Sequence, residues 1–380
     1  MIKHLLIFIA AATFCLCLGT RVIAHPATGI VVDRAGNVYF SDLERIWKVG
    51  TDGKLTVFRA AQRGRHVHEL AIDAEDNIYG GDVSYNPATE GWPSAIWKMT
   101  PDGKTTYLLD TTERPPRGMS IWRDRAGNSY WVDQNNHTKT QTLLLKRTPE
   151  GVVTTLAGSA YGNSDGKGTA AKFSSVGGMA FGSDGSLYLS DGASIRKVTM
   201  EGDVTTIGRG LDFRDRKDQP RFLSGLSGSL TGLAVAPDGT VYAADAGNRR
   251  LLKVSPDGRL EVILRTEPPF FPNGVAISGS DLYVLEVGFT LPNISSGPRV
   301  RKISADGKQT ILATVGAAGS PTLKVPLAVR AGVTAENALV LVSGDGRWRY
   351  AIVLLSLGIL SIVIFIWRTS RGANGGRAHE

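Results

Sequence analysis

Short apolar runs separated by polar turns fill most of this chain. Residues 232–258, "GLAVAPDGTVYAADAGNRRLLKVSPDG", show the order: an apolar run, a turn, an alternating run ending in an acid, a short loop, a third run and an Asp-Gly turn. Runs of this length with period-two alternation are β-strands, and Asp-Gly between two of them marks a tight hairpin. The pattern predicts an antiparallel meander rather than helices.

The same order recurs six times. A tyrosine stands at Tyr39, Tyr79, Tyr130, Tyr188, Tyr242 and Tyr283, and three residues later comes an acid: Asp42, Asp82, Asp133, Asp191, Asp245 and Glu286. An apolar-x-Lys unit follows, with Lys48, Lys98, Lys146, Lys197, Lys253 and Lys302, then a turn such as Asp52-Gly53 or Glu201-Gly202. Each copy closes on a fourth run, "LTVF" or "EVILR" for example. The tyrosines are 40 to 58 residues apart, so insertions vary while the core does not. Four strands per unit at this period predict propeller blades. A single blade cannot bury both its faces, so neighbouring blades must cover them. The predicted fold is all-β, a six-bladed β-propeller over residues 25–314, followed by a linker or extra strand over 315–346.

Particular stretches carry a resemblance. "LTGLAVAPDGTVYAADAGNRRLLKVSPDG" resembles an NHL repeat, and "VTTLAGSAYGNSDGKGTAAKFSSVGGMAFGSDGSLYLSDGASIRKVT" is similar to the NHL arrays of large extracellular proteins. "FPNGVAISGSDLYVLE" is similar to a unit of the gluconolactonase, regucalcin and strictosidine-synthase-like propellers. Together they span roughly residues 26–314. They point to a fold that serves many unrelated activities.

The ends of the chain change the picture. Residues 1–24 carry Lys3, an apolar run from Leu5 to Leu18 and small residues around Ala24, the pattern of a cleaved secretory signal. Residues 350–367, "YAIVLLSLGILSIVIFIW", are 18 residues without a charge, framed by Trp348 and Trp367 and followed by Arg368, Arg371 and Arg377. This predicts a transmembrane helix over 347–368, a cytoplasmic basic tail over 369–380, and a propeller outside the cytoplasm, periplasmic or extracellular. Cys15 and Cys17, the only cysteines, lie in the signal segment, so the exported part has no thiol for a disulfide, a nucleophile or a metal.

The net charge of +8 belongs to these flanks. Within residues 26–346 there remain 36 of the 43 basic and 34 of the 35 acidic residues, a net of +2. No basic stripe with interleaved aromatics is left, which argues against nucleic acid as a partner. Nor is there a glycine-rich phosphate loop, a Cys/His zinc cluster or a nucleophile-elbow serine.

Loop lengths predict which rim works. Turns between strands one and two, and three and four, are uniformly tight. The opposite rim carries 13 residues after Asp82, 10 after Asp133 and 13 after Glu286, together with the connectors 157–176 and 208–230. An elaborated rim on a rigid scaffold is where binding is expected. On it, the residues entering the innermost strands are Thr28, His68, Arg117, Gly177, Thr231 and Asn273. Copy two departs furthest from the others, with "RHVHELAID" where they carry "GIVVD", "GLAVA" or "GVAIS".

An acid at a strand end accepts hydrogen bonds from the loop that follows, and its presence in every copy reads as structural for Asp42, Asp191 and Asp245. Asp82 and Asp133, with long loops after them, and Arg117 at the mouth are candidate binding residues. The resemblance implies Ca2+ or another divalent cation in the channel: Asn273 matches the relatives' inner-strand Asn, Glu286 stands where they place an acid, and Glu69 offers a further carboxylate. Gly177 and Thr231 lack the amide such a site wants, and Arg117 would repel the ion. His68 beside a metal-bound water would serve as a general base; the competing role is to order the mouth through Glu69 or a loop carbonyl. Two functions remain open. The first is a membrane-anchored, extracytoplasmic binding module for a protein, glycan or small molecule. The second is a calcium-dependent lactonase or arylesterase in the channel.

Overall fold

The computed structural model describes residues 27–84, 94–109, 122–124, 126–134, 140–211, 230–288 and 297–316. These residues form six antiparallel meanders, five of four strands and one of five. They are the six blades expected. Blade 1 runs from Ile30 to Arg59, blade 2 from Leu70 to Leu109, blade 3 from Trp122 to Ala160, blade 4 from Val176 to Gly208, blade 5 from Leu230 to Arg265 and blade 6 from Phe270 to Thr314.

The recurring residues meet across the sheets. In every blade the tyrosine of the second strand stands directly opposite the lysine of the third, as in Tyr39–Lys48, Tyr79–Lys98 and Tyr242–Lys253. In blades 1, 2, 3, 4 and 6 the lysine ammonium lies 5.3 to 5.9 Å from the ring centroid. The phenol points at the acid ending the first strand: Tyr39 donates to Asp33, Tyr79 to Asp73 and Tyr130 to Asp124. Burial and these acids push the phenols of Tyr39 and Tyr130 well above their ordinary pKa.

Side chains alternate across a strand, and here both faces are covered. Ile30 faces the core between blades 6 and 1, while Val31 faces that between blades 1 and 2. Leu189 and Tyr188 divide in the same way between the seams on either side of blade 4. An apolar core fills five of the six seams among the described residues; the seam of blades 2 and 3 borders residues 110–121, which lie outside them.

Glycines bring the inner strands together. A Cβ on Gly274 of blade 6 would lie 2.1 Å from the Thr28 carbonyl of blade 1; one on Gly178 would lie 2.4 Å from Thr231 O, and one on Gly29 2.9 Å from the Glu69 backbone. The ring therefore closes from blade 6 to blade 1 by backbone contact and the shared core, without strand exchange.

One connector differs from expectation. Residues 157–176 were expected on the elaborated rim. After the fourth strand of blade 3, the chain instead pairs Gly166–Lys167 with the fourth strand of blade 4, Asp203–Gly208, as a fifth strand. The turn at 164–172 is clamped by backbone bonds between Ser164 and Lys172. Unpaired backbone groups on that outer edge explain the capture.

The signal segment 1–24, residues 317–346 and the apolar stretch 350–367 lie outside the described residues. Among the described residues no helix is long and apolar enough to cross a membrane.

Candidate functional site

The inner strands of blades 4, 5 and 6 each carry an irregularity at the mouth of the channel. The register slips between Val176 and Gly178, between Leu230 and Leu233, and between Pro272 and Gly274. The extra residues are Gly177, Thr231 with Gly232, and Asn273. A bulge of this kind bends a strand end and re-aims its side chain. Asn273 is fully buried, and its amide donates to the Ala27 carbonyl at 2.7 Å.

Blade 2 meets the same place from the other side of blade 1. The His68 carbonyl accepts from the amides of Thr28 and Gly29, both at 2.9 Å. His68 is buried, and its ring lies 6.2 Å from that of His66, whose backbone bridges to Val83. Glu69, half-buried, occupies the position that Gly29, Gly178, Gly232 and Gly274 hold in four other copies. His68, Glu69 and Asn273 thus cluster around residues 27–29 at one pole, as the sequence predicted. Arg117 lies outside the described residues.

The strand-ending acids have another surrounding. Asp42 accepts from the amides of Glu44 and Arg45 and from the Trp47 indole. Asp191 takes the amides of Ser174 and Ser175 and the fully buried guanidinium of Arg196, which also bonds Asp165. Asp245 takes Asn248 and Arg250; burial lifts its carboxyl above the ordinary value, and those two donors only offset this. The structural role expected of these three is what their surroundings provide.

Asp82, expected to bind a ligand, has no exposed side-chain surface. Arg59, from the last strand of blade 1, grips it with two bonds of 2.7 and 2.8 Å, and Trp97, Tyr107 and Arg65 add further donors. It joins two blades and their linker. Asp133 is half-buried at the end of its strand, followed by residues 135–139 outside the described set. Its neighbour Gln134 bonds both backbone groups of Val176 in blade 4.

Glu286, expected to bind a cation, is also fully buried, and Arg299 and Arg301 both bond its carboxylate. Arg299 also stacks on Phe270, 3.6 Å from the ring centroid. Two guanidiniums already neutralise this acid, and the Asn273 amide is turned to a carbonyl. Among the described residues no three His, Cys, Asp or Glu side chains converge on one point. The residues present do not fit a calcium ion, which wants six to eight oxygen ligands.

The arginines are what sequence reasoning missed. A signal existed in the residue before each repeating lysine: Trp47, Trp97, Arg196 and Arg301 all donate to the acid of their own blade. "IWKV" and "VRKI" are alternative ways to satisfy one buried carboxylate.

No protein-family model matches the chain, and no curated protein matches it. Solved structures do. The chain is similar to virginiamycin B lyase from Staphylococcus aureus, with 16% identity over 77% of this chain and 85% of that one, at a TM-score of 0.45. It is similar to a gluconolactonase from Xanthomonas campestris, with 15% identity over 68% and 83% and a TM-score of 0.46. A calcium-binding regucalcin from Agrobacterium tumefaciens shares 17% identity over 69% and 83%, with a TM-score of 0.45.

Proposed function

We propose that this chain is a non-catalytic binding module: a propeller held outside the cytoplasm by the C-terminal apolar segment, taking a protein, glycan or small molecule at its loop-rich rim. The observation that carries this reading is the state of the acids. A metal-assisted hydrolase needs carboxylates directed at an ion, whereas Glu286 and Asp82 are buried and bonded to arginines inside the blades. His68 then orders the mouth through its carbonyl. The long loops of the same rim supply the variable surface that a fixed scaffold presents.

The test is a turnover screen of the purified chain against lactones and aryl esters, with calcium and with chelator. No turnover under either condition is expected. Metal-dependent turnover abolished by His68→Ala would replace this reading with the lactonase one.

A further inference from the structure

At the rim of blade 6, where a bound cation was expected, positive charge is in excess. Glu286 alone faces both Arg299 and Arg301, whose side chains are 17% and 16% exposed. Arg249, from blade 5, donates to the Phe270 carbonyl at 2.6 Å beneath the ring on which Arg299 stacks. Arg250 and Arg265 stand opposite each other in the adjoining blade-5 strands. Five guanidiniums (Arg249, Arg250, Arg265, Arg299 and Arg301) thus meet three carboxylates (Asp245, Glu267 and Glu286), and residues 287–298 add no charge. Blade 4 shows the contrast: Arg196 there is shared between Asp191 and Asp165.

Two guanidiniums on one buried carboxylate leave donor capacity directed outward, since each has five N–H groups and Glu286 accepts only a few. Stacking on Phe270 holds the Arg299 fork in place, so little side-chain entropy remains to be lost on binding. We propose that the rim of blades 5 and 6 is an anion site, accepting a carboxylate or phosphate group of the ligand through Arg299, with Arg301 keeping Glu286 neutralised. This builds on the binding reading above and reverses the charge of the ligand that the resemblance implied.

The test uses the full chain in detergent, melted in inorganic phosphate, in citrate and in calcium at constant ionic strength. Phosphate or citrate should raise Tm by several degrees and saturate, and calcium should not. In Arg299→Gln most of that rise should vanish, because Arg301 still pairs Glu286 but the surplus is gone. Arg265→Gln, further from Glu286, should weaken it if Arg299→Gln does not fold. Arg209→Gln, more than half exposed in another sector, should keep the full rise. A rise with calcium, no rise with either anion, or an undiminished rise in Arg299→Gln overturns the proposal. Such a failure leaves the binding module standing for an uncharged or cationic ligand, whereas turnover in the ester screen would remove the module without touching the anion site.

Discussion

The buried acids of this propeller act as fasteners between strands and blades. Replacing Glu286 by Gln would leave two largely buried guanidiniums without their counter-charge, and breaking a buried pair from one side costs about 3–5 kcal/mol. A drop of that size in denaturant stability is expected for Glu286→Gln; an unchanged midpoint would show that the pair is solvated. The turn acids give the fold its acid sensitivity. Burial by itself would raise the Asp73 carboxyl, but the Asn77 side chain and amide, the Tyr79 hydroxyl and the Glu75 amide hold it below its ordinary value. A carboxyl whose folded pKa is depressed stabilises the fold above its unfolded value, about 3.9, and loses that contribution as the pH falls through the folded one. Asp73→Asn should therefore lower stability near neutrality while flattening its decline below about pH 4. Asp245 has the opposite sign, since its raised pKa favours the folded state in acid.

Among the elements, the inner strands decide whether the ring closes. Gly274 has the backbone of Thr28 where a Cβ would go, and rigid backbone cannot give way as a flexible side-chain tip can. Gly274→Ala should cost about 3 kcal/mol or more, the upper end for overpacking. Gly103→Ala, with open space around it but a φ of +88°, should cost only about 1 kcal/mol. Equal losses from the two, read from urea melts, would show that the seam yields. Copy two breaks this rule with Glu69, and the seam it faces is the one without a described apolar core. The outer edges show a different economy: only blade 4 gains a fifth strand, supplied by the connector before it.

For the whole molecule, anchoring and export are separable from ligand binding. An alkaline phosphatase reporter, active only outside the cytoplasm, should be active when joined after Thr314 and silent when joined after Glu380. Activity at both junctions, or at neither, would remove the topology. The six-bladed scaffold and the clustering of His68, Glu69 and Asn273 at one pole do not depend on that outcome.

Periodicity alone determined the blades, because burial on both faces of a strand leaves a repeating apolar record and tight turns demand Asp-Gly. The tyrosine-lysine pairs, nine to sixteen residues apart within one hairpin, were equally legible. Only the tertiary structure decided what the acids do. Arg59 reaches Asp82 from another blade, 23 residues away, and Arg299 and Arg301 reach Glu286 across a strand whose pattern records burial but not partners. A carboxylate in sequence is equally a ligand or a fastener. Which of the two it becomes depends on which donor the folded chain brings within hydrogen-bonding distance, and no period encodes that.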